Sequence, residues 1–337
     1  MGHRKQHAPR RGSLRFLYRK RARQQKGRVR NWKHYSGEPH FLGFAGFKAG
    51  MTRIAYEEDN KTNPFFGKEL MKAVTVIEVP PLVLFGIKIY EKDDYGLHAI
   101  GEVLAKDLNK DLARKIRLPG AEYNPETKIT ELEKIIKPDH EIRGLFHTQP
   151  SKASVPRIKP DIIEIPVSGG ANATDRFNYA KEQLGKEIRV RDVMKNGTLI
   201  DVISVSRGKG YQGPVKRFGV RLLTRKNRKG KRRVGSIGPW KPNKTMYTIA
   251  RAGQMGYHQR VEYHKRLMKI SENINEINPK GGFINYGMVK NDYVLLLGSV
   301  PGPKKRLIRL RKTIRPTNIY LDTEPKITYV SKQSQQG

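Results

Sequence analysis

This 337-residue chain has no cysteine, no long apolar run, and no acidic residue in two of its segments. The absence of cysteine excludes disulfides, thiolate nucleophiles and zinc ribbons. The longest apolar runs, such as 82–87 and 293–297, have the length of core strands and are far shorter than a membrane span. The N-terminus carries no apolar h-region, so we predict a soluble protein without a secretion signal.

The two segments without acids are also the most basic ones. Residues 202–261 hold sixteen Lys and Arg, and twelve of these lie between Arg207 and Arg233. Residues 1–37 hold thirteen, and the first acid is Glu38. With 68 Lys and Arg against 31 acids, the formal net charge is +37. Because such segments repel themselves and offer little apolar material for a core, they predict a polyanionic partner, of which nucleic acid is the leading class.

Glycines and aromatic residues interrupt the basic run, which is typical of a segment that enters RNA. Cations hold phosphates, and flat rings stack on unpaired bases. We predict one set of residues for phosphate binding: Arg4, Lys5, Arg10, Arg11, Arg207, Lys209, Lys216, Arg217, Arg225, Arg228, Lys231, Arg232, Arg233, Lys241 and Arg251. A second set is predicted to stack on bases: Tyr211, Trp240, Tyr257 and His258.

Short apolar strands separated by Pro, Gly and charged turns predict a mainly β fold, an antiparallel barrel or sandwich. Residues 41–105 and 187–337 are assigned to this β core, with 282–288 among the predicted strands, and 106–186 to an α/β insertion. Helical spacing in the insertion predicts helices over 106–116 and 126–136, and Thr174 is expected to cap a third helix that runs through Leu184. Two basic extensions are predicted, 1–40 and 207–261. The strand 306–314 places Arg309 and Arg311 on one face, where we expect them to pair with phosphates.

Three other functional classes were weighed against RNA binding. Gly208–Gly213 reads G-x-G-x-x-G, but Pro214 follows it and no acid appears before Glu262, so a dinucleotide-dependent enzyme is disfavoured. A chromatin-type DNA binder would share the charge. A membrane-surface protein lacks the long basic amphipathic helix it would need. No spacing suggests a catalytic or metal site, so we predict no enzyme activity, metal or cofactor.

Several blocks of the sequence resemble the large-subunit ribosomal protein L-three family, archaeal type. They run in the same order from residue 1 to about 316: MGHRKQHAPRRGSLRFLYRKR, GFKAGMT, VPPLVLFGI, SRGKGYQGPVKRFG, IGPWKP, ARAGQMGYHQR and NDYVLLLGSVPGPKKRLIRLRK. Eukaryotic relatives carry a histidine twelve residues before the family's tryptophan. Here that position is Arg228, which favours an archaeal source.

The resemblance implies a closed β-barrel like those of translation factors, bound to large-subunit ribosomal RNA. It also implies that the central extension reaches toward the peptidyl transferase centre, with Trp240 at its tip on the aminoacyl-tRNA side. The expected role is structural: the protein supports subunit assembly and organises the A-site entry. The expected partners are ribosomal RNA and neighbouring ribosomal proteins, with no membrane, no small-molecule substrate and no homo-oligomer. The expected location is the cytoplasm, in the large subunit.

Overall fold

The computed structural model describes residues 11–13, 19–120, 122–227, 230–315 and 323–334. Strands dominate it and helices are few. The strands are β1 (His40–Phe41), β2 (Gly43–Glu57), β3 (Glu69–Glu78), β4 (Leu82–Asp93), β5 (Gly96–Leu104), β6 (Glu141–His147), β7 (Ile162–Ser168), β8 (Glu187–Ile188), β9 (Leu199–Val205), β10 (Tyr211–Gln212), β11 (Gly253–Gln254), β12 (Gln259–Ser271), β13 (Tyr293–Leu297), β14 (Leu307–Lys312) and β15 (Ile327–Val330). The α-helices are α1 (Pro125–Ile135), α2 (Ala173–Glu182), α3 (Val190–Val193) and α4 (Pro214–Phe218).

The described residues divide into two compact units. The core unit comprises 26–204 and 260–337, and the extension unit comprises 1–25 and 205–259. The core unit therefore contains both long sheets and nearly all of the buried apolar side chains. In its described residues, the extension unit contains the two-stranded β10–β11 pair and the short helix α4, besides one end residue each of β9 and β12.

The first sheet of the core unit has the strand order β14-β9-β12-β13-β3-β2-β15. Strand β14, the first strand of this order, pairs with β9 and also with β2, which lies near the other end of the order. The pairings of β12 with β13, of β13 with β3 and of β3 with β2 are antiparallel, which agrees with the alternating and β-branched strands of the sequence. At Gly46 of β2 the backbone passes so close to β3 that an added Cβ would lie 2.6 Å from the Glu78 carbonyl oxygen, so only glycine fits.

The second sheet has the order β1-β7-β6-β4-β5, with β8 paired to β4. Helix α1 buries Ile129 and Leu132, and Leu132 lies under Gly101 of β5. Helix α2 buries Phe177 and Ala180 in the same apolar cluster. The second sheet and these two helices form an α/β part of the core unit.

The boundary of the α/β part differs from the predicted one at residues 105–106. Strands β4 and β5 were assigned to the β core, but β4 pairs with β6 and β8 in the second sheet, and β5 pairs with β4 at the end of that sheet. The sheets instead divide at Pro80–Pro81. Neither proline has an N–H to donate to a strand ladder, so strand pairing is interrupted there.

Three predicted elements are also corrected. The helix predicted over 106–116 is reduced to a 3₁₀ turn, Lys110–Arg114, that buries Leu112. The segment 282–288, predicted as a strand, forms turns, because Gly282, Asn285 and Gly287 have positive φ angles. Helix α2 starts after Asn172 and not at Thr174, and the Asp175 carboxylate accepts a hydrogen bond from the Asn172 N–H at 3.2 Å.

Candidate nucleic-acid interface

The base of the central extension is a short two-stranded stem within the extension unit. The Tyr257 N–H donates to the Arg207 carbonyl at 3.3 Å, and the Lys209 N–H donates to the Met255 carbonyl at 3.0 Å. Strands β10 and β11 continue this pairing, with Tyr211 opposite Gln254. Gly256 has a φ of +70°, and an added Cβ would lie 2.1 Å from the Arg207 oxygen. The stem therefore depends on glycine for its closest approach.

The N-terminal segment packs against this stem, so the two basic segments form one unit. The Ala22 N–H donates to the Tyr257 carbonyl at 2.8 Å. The Arg19 guanidinium lies 4.3 Å from the centre of the Phe218 ring and donates to the Arg217 carbonyl at 3.0 Å. Phe218 is buried, and Gly12 closes over its ring. One aromatic side chain thus anchors both segments.

The charge of the extension unit is entirely positive. Residues 1–25 hold nine Lys and Arg and residues 205–259 hold fifteen, and neither segment contains an Asp or Glu. The extension unit therefore has no carboxylate of its own that could neutralise these cations. Gathering them into one compact unit raises their mutual repulsion, which phosphate groups would relieve.

Most predicted phosphate-binding residues are solvent-exposed. Those with exposed side chains are Arg11, Arg207, Lys209, Lys216, Arg225, Lys231, Arg232, Arg233, Lys241 and Arg251. Arg4, Lys5, Arg10 and Arg228 lie outside the described residues. Between Gly219 and Gly253 the described chain forms no helix or strand, so these cations project from irregular backbone. A segment of this kind can adapt its shape to a folded RNA.

Arg217 differs from the prediction. Its Nε donates to the Gln254 carbonyl and its Nη1 to the Arg251 carbonyl, both at 3.0 Å. The guanidinium also lies 5.2 Å from the Phe218 ring centre. Arg217 therefore joins the two sides of the stem, and its role is structural.

The four predicted stacking residues fall into two groups. Trp240 is 88% exposed and Tyr211 is 77% exposed, so both rings are open to a base. Tyr257 is half-buried at the stem, with a φ of +53°. His258 is buried: its Nδ1 donates to the Lys20 carbonyl at 2.9 Å, and its N–H donates to the Ser206 hydroxyl at 3.1 Å. The ring of His258 is thus enclosed by protein, and its predicted stacking role stays a prediction.

Arg309 and Arg311 of β14 were also expected to contact phosphates, and both are buried in the core unit instead. Arg309 donates to the Glu164 carbonyl at 2.7 Å and to the Gly27 carbonyl at 3.3 Å. Burial is the largest cause that lowers its pKa, to about 10. Arg311 forms an ion pair with the buried Asp201 at 3.0 Å. These two arginines therefore hold the core together.

No cluster of three or more His, Asp or Glu side chains among the described residues could hold a metal ion. No helix in the described part of the chain combines the length and apolarity needed to cross a bilayer.

A folded β core that carries an exposed cationic extension without a single carboxylate defines an architectural nucleic-acid-binding protein. Within that class, the chain belongs to the ribosomal protein L3 family, whose sequence profile, described as "Ribosomal protein L3", matches residues 1–337.

The chain is similar over nearly its whole length to archaeal proteins named "Large ribosomal subunit protein uL3". It is 48% identical to the protein of Methanobrevibacter smithii over 335 residues, which cover 98% of each chain. It is 45% identical to the protein of Archaeoglobus fulgidus over 336 residues, 99% of each chain. It is also 45% identical to the protein of Caldivirga maquilingensis over 342 aligned positions, 98% of each chain.

Proposed function

We propose that this chain is a structural constituent of the large ribosomal subunit and binds its ribosomal RNA through the extension unit. One observation carries the proposal: the extension unit presents exposed cations from irregular backbone and contains no carboxylate to neutralise them. Membership of the ribosomal protein L3 family supports the identity of the RNA. The protein has no enzymatic role in this proposal, because its contribution is to hold RNA in place.

The residues proposed to bind phosphates are the predicted set without Arg217, which is engaged within the stem. Tyr211 and Trp240 are proposed to stack on bases, because they are the most exposed aromatic residues among the described residues of the extension unit. The proposal follows the resemblance in placing the tip with Trp240 toward the peptidyl transferase centre and the A-site entry. There it would order RNA and favour subunit assembly.

The core unit is proposed to be a closed β-barrel with an α/β part attached. The pairing of β14 with both β9 and β2 supports closure, because it leaves neither of those strands as a free edge. A barrel provides a rigid base for a flexible cationic extension. Neighbouring ribosomal proteins are proposed as further partners of the near-neutral α/β surface.

Binding of the purified chain to three ligands at the same salt concentration tests the proposal. The ligands are protein-free large-subunit ribosomal RNA, duplex DNA of matched length, and NAD. We expect tight binding to the ribosomal RNA, weaker binding to the duplex and no thermal stabilisation by NAD. Equal affinity for duplex DNA and ribosomal RNA would favour a general DNA binder, and stabilisation by NAD would favour the dinucleotide enzyme.

A second measurement tests the location. In extracts, the chain should sediment with large subunits and stay with them at high salt, since it is held by many contacts at once. Release from the subunits at moderate salt would indicate a peripheral or nonspecific association.

A further inference from the structure

We propose that the outer edge of strand β5 is a docking site for a basic, extended segment of a neighbouring ribosomal protein, and this rests on the proposed function. Such a segment would lie beside β5 and add a strand to the second sheet. The site belongs to the core unit and is formed by the hairpin of β4 and β5. None of the residues predicted to bind RNA lies on this hairpin.

Strand β5 has an open backbone edge. It is the last strand in the order of the second sheet, where it pairs with β4. On the side away from β4, the Leu104 N–H donates to the Tyr123 hydroxyl at 2.8 Å, which closes the base of the edge. Strand alternation turns the backbone groups of Glu102 in the same direction as those of Leu104. Among the described residues, no other group hydrogen bonds to this side of the backbone between Leu97 and Glu102.

The hairpin that carries this edge is fixed at both ends. At the tip, the Asp93 carboxylate accepts hydrogen bonds from the Tyr95 N–H at 2.8 Å and from the Gly96 N–H at 2.9 Å. At the base, Leu132 of α1 packs against Gly101, where an added Cβ would lie 2.4 Å from the leucine side chain. The edge is therefore preformed, and little of its conformational entropy is lost when a partner strand binds.

The edge lacks the residues that usually prevent pairing with another chain. The sequence of 97–102 is LHAIGE, which contains neither Pro nor Lys. A register shift between Ile89 and Tyr90 interrupts the pairing of β4 with β5, but it leaves the outer side of β5 uncovered. Leu97 is 41% exposed and Ile100 is 36% exposed. Apolar side chains beside an open edge favour a protein partner, because RNA phosphates gain nothing from contact with them.

The charge around the edge determines the kind of partner. Residues 88–104 hold four acids and two Lys, and residues 122–137, which include α1, hold four acids and three Lys. This local excess of acids contrasts with the net charge of +37 of the whole chain. Carboxylates repel the phosphates of RNA and attract Lys and Arg side chains. A basic protein segment in extended conformation therefore fits this edge, and an RNA strand does not.

The first test places a photo-crosslinker on the full chain in purified large subunits. The crosslinker p-benzoylphenylalanine takes the place of Tyr95, which is 95% exposed at the hairpin tip, so the fold should not change. We expect a crosslink to an extended segment of one ribosomal protein that is rich in Lys and Arg, mapped by mass spectrometry. A crosslink to ribosomal RNA or to a second copy of this chain, or no crosslink at all, would overturn the inference. A chain that does not enter large subunits would instead refute the proposed function.

Two double variants of the crosslinker-bearing chain test whether the edge carries the contact. The edge variant has Leu97→Lys and Ile100→Lys, and the control has Ile158→Lys and Met288→Lys, which add the same charge at other exposed apolar side chains of the core unit. Thermal unfolding should be unchanged in both. We expect the edge variant to lose about tenfold or more of the crosslink yield, because it removes two apolar contacts and places like charges beside a basic segment. Wild-type yield in the edge variant, or equal losses in both variants, would contradict the inference.

Amide hydrogen exchange of residues 97–102 separates a protein partner from RNA. The N–H groups on the open edge should exchange fast in the free chain, because no hydrogen bond within the described protein protects them. We expect them to be protected in the purified subunit and to stay protected after digestion with ribonuclease, because the added strand is protein. Protection that is lost together with the RNA, or equal exchange in the free chain and the subunit, would count against a docked protein strand.

Discussion

Asp201 holds a buried hydrogen-bond network in the core unit, and replacing it should markedly lower the denaturant concentration at which the core unit unfolds. Its carboxylate is fully buried and accepts hydrogen bonds from Arg311 Nε and Nη2 at 3.1 and 3.0 Å. It also accepts from the His264 N–H at 3.2 Å and from the Ile314 N–H at 3.3 Å. Asp201→Asn keeps the shape, removes the charge and leaves the buried Arg311 guanidinium without its counter-ion.

Breaking a buried ion pair in this way costs about 3–5 kcal/mol. Since domains have free energies of unfolding of about 5–15 kcal/mol, the loss is a large fraction of the total. The assay is guanidinium unfolding followed by far-UV circular dichroism. The double variant Asp201→Asn with Arg311→Met removes both charges and keeps a side-chain oxygen to accept from the His264 and Ile314 N–H groups, and we expect it to be more stable than Asp201→Asn alone. A cost below about 1 kcal/mol for Asp201→Asn, or a double variant less stable than the single one, would refute this reasoning.

Four further predictions follow from the two units. Deletion of 221–243 should leave the cooperative unfolding of the core unit intact, and loss of that transition would refute the division into units. Trp240→Ala should give subunits that assemble but form peptide bonds or bind aminoacyl-tRNA abnormally; unaltered rates and binding would count against a functional tip. Gly256→Ala should destabilise the stem by at least about 1 kcal/mol, because Gly256 has a φ of +70° and the added Cβ would strike the Arg207 carbonyl oxygen. Faster proteolysis of 207–257 would report this loss. Gly213→Ala is the control and should behave as wild type, because Gly213 has a φ of −70° and its added Cβ would have no neighbour within 4 Å. Burial opposes ionisation of Asp59, but the hydrogen bonds and charge of Arg266 outweigh burial and lower the pKa of Asp59. The ionised Asp59 should therefore stabilise the fold above about pH 4, and this stabilisation should be lost as the pH falls through the lowered pKa. Asp59→Asn should remove that part of the acid dependence of stability.

The sequence predicts well what depends on charge composition and on strand periodicity. The acid-free run around Arg207–Arg233 is visible without a structure, and most of its described residues are solvent-exposed. The spacing of apolar residues predicts strand β2 and helix α1, and apolar residues at these positions are buried in the structure. These features depend on residues that are close together in the chain.

The sequence does not predict which cations are used inside the protein. Arg217, Arg309 and Arg311 look like phosphate ligands in a basic sequence, but their partners are carbonyls and a carboxylate that lie far away in the chain. The contacts of residues 26–35 are hidden for the same reason, because the partners of Lys26 and Asn31 lie more than 130 positions away in the chain. Trp32 and Tyr35, two aromatic residues within a basic stretch, are the signals that could have indicated packing against a core.

Amide hydrogen exchange of residues 219–252 tests most directly the claim that this segment is enclosed by ribosomal RNA. It should be measured in the free protein, in purified large subunits, and in subunits digested with ribonuclease. Few backbone hydrogen bonds join the described residues of this segment, for example Leu223 N–H to the Lys231 carbonyl at 3.0 Å, so exchange should be fast in the free chain. We predict strong protection in the subunit that is lost on digestion. Equal exchange in the free protein and the subunit, or protection that survives complete removal of the RNA, would contradict the account.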